Sequence, residues 1–452
     1  MSRLSAHQIS AAAERPFVQR LAEDVADVLL AGEWTHDAML ARLDTALRRP
    51  GGWIRQLARA TVLEFPEPPV GRPQELARFL LANPPLPHIC ARLQYQGRQL
   101  PSLPLHRRTR SRRSEWPVPR WDSVADLADH LGLTAGELAW FADVQERHCR
   151  STAEQLKHYR YRRIPRAGGR SRLVEAPKWQ LREIQRRILH EVLGRMPAHD
   201  AAHGFRTGRS ALTFATIHCG QNCVVRLDLE SFFASIGVAR IWGLFRIAGY
   251  ADSVATVLAA LVTTKTPPAE RRVFQHSADP AERRSGSWLG VPHLPQGAPT
   301  SPALANLVAY RLDARLTGLA GRFGARYTRY ADDLAFSGMP VAAASALRER
   351  VSAIVLDEGF RVNAAKSLVR PAASRQAMTG LVVNAHPNIA RPEFDRLKAV
   401  LHNCAVHGPA SQNRAGHADW RAHLLGRVSW IEQVNPAKGA RLRREFDRID
   451  WR

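Results

Sequence analysis

Residues 326–338 read RYTRYADDLAFSG. Two apolar-aromatic runs of strand character flank a tight turn that carries adjacent aspartates, Asp332 and Asp333. Neighbouring carboxylates between hydrophobic strands repel each other, and a cation relieves the repulsion. A divalent, oxygen-seeking ion such as Mg²⁺ is the natural choice, since Asp carboxylates are its preferred ligands.

Upstream, NCVVRLDLESFFASI (222–236) contains a second strand, with Val224, Val225, Leu227 and Leu229 set for burial and Asp228 near its end. A charged carboxylate there is costly unless it is paired or binds a metal. Brought beside Asp332 and Asp333, Asp228 completes a set of three carboxylates able to hold two metal ions about 4 Å apart. Such a pair activates a 3′-hydroxyl and stabilises a leaving pyrophosphate. Between the two segments lies LPQGAPTSPALAN (294–306).

These segments carry a resemblance. Tyr330-Ala331-Asp332-Asp333 resembles the YxDD box of reverse transcriptases, and DLESFF (228–233) resembles the preceding metal-binding motif of the same palm domain. LPQGAPTSPALAN resembles the family's template- and nucleotide-binding motif. The order and type of the motifs match across residues 160–385. The resemblance implies an α/β (α+β) right-hand polymerase. Its expected layout is a helical N-terminal extension over 1–100, an Arg/Pro-rich linker over 101–120, fingers and palm over 121–385, and a helical thumb over 386–452.

It also implies roles for single residues. Asp228, Asp332 and Asp333 are the expected catalytic groups, and with Leu229 the expected metal ligands for two Mg²⁺, or Mn²⁺ in their place. Lys366, in GFRVNAAKS (359–367), matches the lysine near the pyrophosphate, as a general acid or as a counter-charge. Arg166 and Arg172 lie where the family's fingers grip the triphosphate, a task suited to the paired donors of guanidinium. Gln296, Gly297 and Tyr330 border the incoming nucleotide. Phe233, five residues after Asp228, takes the place of the sugar gate. A ring there excludes a 2′-hydroxyl, so dNTPs are the expected substrates and DNA the product.

Softer motifs resemble the bacterial retron enzymes. AHGFRTGRSALTFATIH (202–218) is similar to the retron segment leading to the NAxxH box, with Phe214 in place of Asn and with Ala215 and His218 retained. MTGLVVN (378–384) is similar to the retron VTG segment, with Met378 in place of Val. His218, Thr379 and Gly380 are the RNA-binding residues so implied. LLGRVSWIEQVNPAKGARLRREFDRIDW (424–451) resembles the retron thumb, which follows an RNA-containing duplex by shape. The implied partners are a cognate structured non-coding RNA and an RNA–DNA hybrid, and the implied setting is antiphage defence. Retrons act with an effector encoded in the chain or nearby; none is recognisable in this sequence. Two other readings stay open at this point: another bacterial reverse transcriptase with a different priming rule, and an RNA-binding scaffold whose palm has lost catalysis.

Composition agrees with a nucleic-acid partner. Sixty-five Lys and Arg against 41 Asp and Glu give a formal charge of +24 over 452 residues, an excess that supplies sequence-independent phosphate affinity. Residues 155–190 alone hold eleven Lys or Arg and two acids. There a basic hairpin, YRYRRIPRAGGRSRLVEAP (159–177), turns at Gly168-Gly169 and leads into an amphipathic helix. Residues 101–120 carry six arginines among prolines and serines, the composition of a basic linker able to lie along phosphates. Thr134 with Glu137 spells a capping box within a short helix-turn-helix-like pair at 123–141. The five cysteines are scattered, which argues against a disulfide framework. Cys219 and Cys223, beside His218, lack a second ligand pair at zinc spacing and are expected in the core. No apolar run is long enough to span a membrane and no secretory h-region opens the chain, so a cytoplasmic protein is expected.

Overall fold

A computed structural model of the chain describes residues 16–30, 34–47, 52–67, 69, 73–83, 85–95, 116–144, 148–151, 153–165 and 171–451. Arg166, the Gly168-Gly169 turn and most of the basic linker lie outside the described residues. The chain forms two compact units, one of residues 1–113, 120–127 and 249–256, the other of 114–119, 128–248 and 257–452.

The first unit contains helices Pro16–Leu30, His36–Leu47, Gly52–Glu64, Pro73–Ala82 and Pro85–Tyr95. Apolar residues at helical spacing put Leu21, Val25, Leu29, Met39, Leu43, Leu57, Leu76 and Leu80 into one core. Thr35 caps the second helix by accepting from Ala38 N at 3.4 Å. This cluster is separate from the cores of the second unit, as a helical bundle with its own apolar interior requires.

In the second unit, β1 (Tyr159–Pro165) and β2 (Ser171–Pro177) form the basic hairpin, in antiparallel register from Tyr159↔Pro177 to Pro165↔Ser171. β3 (Cys223–Leu229), β4 (Arg326–Tyr330), β5 (Asp333–Ser337) and β6 (Val362–Pro371) make an antiparallel sheet in the order β4-β5-β3-β6. β3 is central, and its near-continuous apolar run is buried on both faces. β6 is the exposed edge, and its pairing with β3 slips from Arg226↔Leu368 to Asp228↔Asn363. Residues 364–367 therefore bulge from the ladder, as strands do beside functional sites.

A three-stranded sheet, β7 (Ala377–Met378), β8 (Leu381–Val382) and β9 (Asn388–Ile389), follows. Helices Arg391–His407, Trp420–Val434 and Pro436–Asp447 close the chain. One apolar cluster runs from Phe214, Val224 and Ala335 through Met378 and Leu401 to Val428, Leu442 and Phe446, so these helices share a core with the sheet. The capping box of Thr134 and Glu137 is formed, and Cys223 is fully buried. Among the described residues no helix is long and apolar enough to cross a membrane.

The last two helices meet backbone to backbone at Gly439, where a Cβ would lie 2.3 Å from the Cα of Glu432. Alanine at 439 adds helix propensity, worth about 1 kcal/mol, but forces the helices apart at an overpacking cost of about 1–3 kcal/mol. Gly439→Ala is therefore expected to lower the denaturation midpoint in urea, and a midpoint at or above the parent's would refute this close approach.

Candidate active site

β4 and β5 join through a two-residue turn, Ala331-Asp332, with Tyr330 paired to Asp333 across it. Asp333 in turn faces Asp228 on β3, and Leu229 N donates to the Asp332 carbonyl at 2.9 Å. Register alone thus brings the three predicted aspartates together. The turn is strained: Ala331 has φ 55, a left-handed conformation that L-residues rarely adopt. Gly204 backs it so closely that a Cβ there would stand 2.6 Å from Ala331 N.

What holds the turn is a fully buried arginine. Arg329 donates to both carboxylate oxygens of Asp313 at 2.8 and 2.7 Å, to Asn306 Oδ1 at 3.0 Å and to the Ala331 carbonyl at 3.0 Å. The Tyr327 hydroxyl adds a bond to Asp313 at 2.8 Å, and Asn306 Nδ2 reaches the Gly204 carbonyl at 2.9 Å. Arg329 N also donates to Ala201 O, and His203 N to Arg329 O, each at 2.7 Å, which lays residues 201–203 along the outer side of β4.

The three carboxylates differ in their compensation. Lys366 Nζ, from the bulge of β6, contacts both oxygens of Asp228 at 2.9 and 3.0 Å, and Asn363 Nδ2 lies at 3.3 Å. Burial raises the Asp228 pKa, and Lys366 partly offsets it. Arg226 donates to Asp333 at 2.8 Å. Asp332 has no ion-pair partner among the described residues. Burial first, then the charge of Asp228, pushes its carboxyl up to about 6. A pocket with three acidic oxygen ligands, one of them uncompensated, suits a hard divalent cation. The side chain of Leu229 is apolar and buried, so only its main-chain carbonyl could serve as a ligand.

Around the carboxylates stands an aromatic wall. Phe232 is buried while Phe233 is half-buried, so the ring expected as the gate is the one that reaches the surface. Phe205 lies 6.2 Å from Phe233 and 6.4 Å from Tyr330, is 49% exposed and has φ 62. An exposed ring on strained backbone beside the three carboxylates is a signal that the sequence reading missed. Phe214, in the position of the family's Asn, is fully buried 5.7 Å from the Tyr330 ring.

The other predicted residues fall in three places. Gln296 O accepts from Glu175 N of β2 at 2.9 Å, and Gly297 has φ 140. Arg172 is half-buried on the same strand, opposite Ile164. Thr379 and Gly380, at φ 47 and 86, form the tight turn between β7 and β8. His218 calls for a correction: it is 0% exposed, with Nδ1 bonded to Ser337 at 2.7 Å and Nε2 to Thr328 at 2.7 Å. Burial drives its pKa down to about 3, so it stays neutral and ties β4 to β5, leaving no ring atom to meet RNA.

Comparison with known proteins decides the family. Residues 164–378 match the family model described as reverse transcriptase (RNA-dependent DNA polymerase). The chain is 38% identical over 362 residues to the retron Mx65 reverse transcriptase of Myxococcus xanthus, covering 77% of this chain and 79% of that one. It is 36% identical over 353 residues to the retron Mx162 enzyme of the same organism, covering 74% and 68%. The retron Ec86 reverse transcriptase of Escherichia coli is 29% identical over 274 residues, covering 60% and 75%. The chain belongs to the retron-type reverse transcriptases. It is accordingly an RNA-directed DNA polymerase of α/β fold, and reverse transcriptases generally use divalent metal ions.

The state of Asp332 is open to direct measurement. A carboxyl raised from 3.8 to about 6 is largely neutral in both folded and unfolded chains only below about pH 3. Ionising it costs the folded retron enzyme stability as pH climbs through 4 to 6, and the cost stays at its full value above that. Asp332→Asn removes the cost. In chelator-containing buffer the variant should be about 2–3 kcal/mol more stable than the parent at pH 7.5 and equal to it at about pH 3. A gain independent of pH would show that the carboxyl is not raised.

Proposed function

We propose that this enzyme copies part of a cognate structured non-coding RNA into single-stranded DNA within a retron that serves antiphage defence. The observation that carries the chemistry is the meeting of Asp228, Asp332 and Asp333 at one end of the sheet, with Asp332 left uncompensated. These carboxylates, with the Leu229 carbonyl, would hold two Mg²⁺ ions, or Mn²⁺ in their place. When bound, the ions supply Lewis acidity to the attacking hydroxyl and the leaving pyrophosphate.

The remaining residues bind and orient. Arg172, joined by Arg166, grips the triphosphate of a dNTP, while Gln296, Gly297 and Tyr330 border the base and sugar. Phe233 closes the space a ribose 2′-hydroxyl would need. Lys366 acts as counter-charge to Asp228, the role its two contacts support. Gly380, exposed at the turn it shares with half-buried Thr379, faces the RNA. Residues 121–385 form the fingers and palm, and 386–452 form the thumb along the RNA–DNA hybrid, with 1–100 as extension and 101–120 as linker. A separate effector protein completes the system.

Expression of the protein from its own locus, followed by sequencing of the nucleic acid that co-purifies, tests this reading. The parent should carry branched RNA–DNA, while Asp332→Ala and Asp333→Ala should carry the same RNA without DNA. DNA synthesis by either variant, or unbranched random RNA in the parent, would reject it. A second test addresses the gate. Phe233→Ala should lower the preference for dNTP over rNTP by roughly tenfold or more, the scale of one lost steric contact; an unchanged ratio in single-nucleotide extension removes Phe233 from that role.

A further inference from the structure

Away from the carboxylates, three potential ligands converge where helix Ala135–Ala142 ends and β1 begins. Asp143 is the C-cap of that helix, held at φ 38. His148 and His158 complete the group, and one ligand atom from each of the three lies within 4.8 Å of the others. The side chains of Asp143 and His148 are 9% and 8% exposed, and His158 is equally withdrawn. His148 is drawn in twice: its main-chain N donates to Asp143 Oδ2 at 2.8 Å, and its ring Nδ1 touches the same oxygen.

Both histidine rings are also held from outside the triad. His148 Nε2 lies 3.3 Å from Thr264 Oγ1, and His158 Nε2 lies 2.8 Å from the Trp140 carbonyl. Each imidazole therefore has one nitrogen oriented by an oxygen outside the triad, which leaves Nδ1 of His148 and Nδ1 of His158 as ligand atoms. That is how proteins fix the tautomer and ring angle of a metal-bound histidine. The rings of Trp140 and Phe141 stand 5.1 and 5.9 Å from His158.

We propose that Asp143, His148 and His158 form a site for a zinc-class divalent ion, distinct from the polymerase centre. Two nitrogens and one carboxylate oxygen match the donor preference of Zn²⁺, with water in the fourth position. Mg²⁺ is disfavoured by the imidazole ligands, which suit transition metals. The ion would cross-link three positions of one short stretch, residues 143 to 158, and His148 Nε2 would tie that stretch to Thr264. Through Thr264, which exchanges two backbone bonds with His293 at 2.9 Å each, it would brace the loop that leads to Gln296.

The experiment uses the full chain carrying Asp332→Ala, so that the polymerase centre contributes less to cation binding. Zinc content is measured after exhaustive dialysis, and visible absorption is recorded after cobalt substitution. The expected result is about one zinc per chain, a cobalt spectrum of tetrahedral type and a thermal midpoint raised by added Zn²⁺. Adding Asp143→Asn, which keeps the shape of the side chain, or His158→Gln should abolish all three effects while circular dichroism stays that of the parent. The loss of zinc affinity should exceed the roughly 10–100-fold that an outer-shell change costs. No stoichiometric zinc in the parent, or zinc retained equally by both variants, would reduce the group to a hydrogen-bonded network and overturn the proposal.

Discussion

The buried ion pair of Arg329 and Asp313 is the constraint on which the active centre depends. Both side chains are fully buried, so removing one partner would strand the other charge at a cost of about 3–5 kcal/mol. The geometry supplies what such a pair needs: a two-pronged contact, a third acceptor in Asn306 and a fourth in the Ala331 carbonyl. The fourth contact ties the fold to the chemistry. It fixes a carbonyl inside a strained turn whose next two residues are Asp332 and Asp333. A hydrophobic pair of equal volume would fill the space but would not hold the turn.

Charge is distributed over the centre in an ordered way. Asp228 has Lys366 and Asp333 has Arg226, each cation delivered by a strand of the same sheet, Lys366 through the bulge of β6 and Arg226 from β3 itself. Asp332 alone is left to the combined effect of burial and its neighbours. Two cations against three carboxylates keep the sheet foldable while leaving a net attraction for an incoming cation. The bulge has a mechanical reason as well: a regular β6 would carry Lys366 along the ladder rather than back toward Asp228.

Much of this was legible in the sequence because it rests on short-range pattern. The alternation around Tyr330 to Phe336, the apolar run of β3 and the order of the motifs were enough to place the three aspartates. The buried residues were harder to read, because their roles depend on partners distant in the chain. Arg329 looks like one more basic residue in a chain rich in arginine, and only its position on the inward face of β4 sets it apart. Asp313 sits among leucines of an amphipathic helix, where a lone acid is the sole sign. His218 was expected at an RNA surface, but its partners Thr328 and Ser337 lie more than a hundred residues downstream. Phe205 gave no local signal at all, because its φ and its ring neighbours are set by tertiary contacts.

Gly297 has a structural reason of its own in the folded chain. A glycine in LPQG suggests close approach of the backbone to a nucleotide. In the folded chain a Cβ at 297 would lie 3.0 Å from the Glu175 carbonyl and 3.2 Å from Val174 Cγ1, so β2 already occupies that side. Gln296 O accepts from Glu175 N, and the Glu175 side chain accepts from Thr266 at 2.6 Å and pairs with His293 at 3.0 Å. Burial opposes a charge on His293, yet Glu175 raises its pKa nonetheless, as expected for an ion pair sealed from water. The glycine is thus required first by the docking of the basic hairpin onto the loop. Arg172 shares that strand with Glu175, so one set of contacts fixes both the basic hairpin and the loop of Gln296 and Gly297.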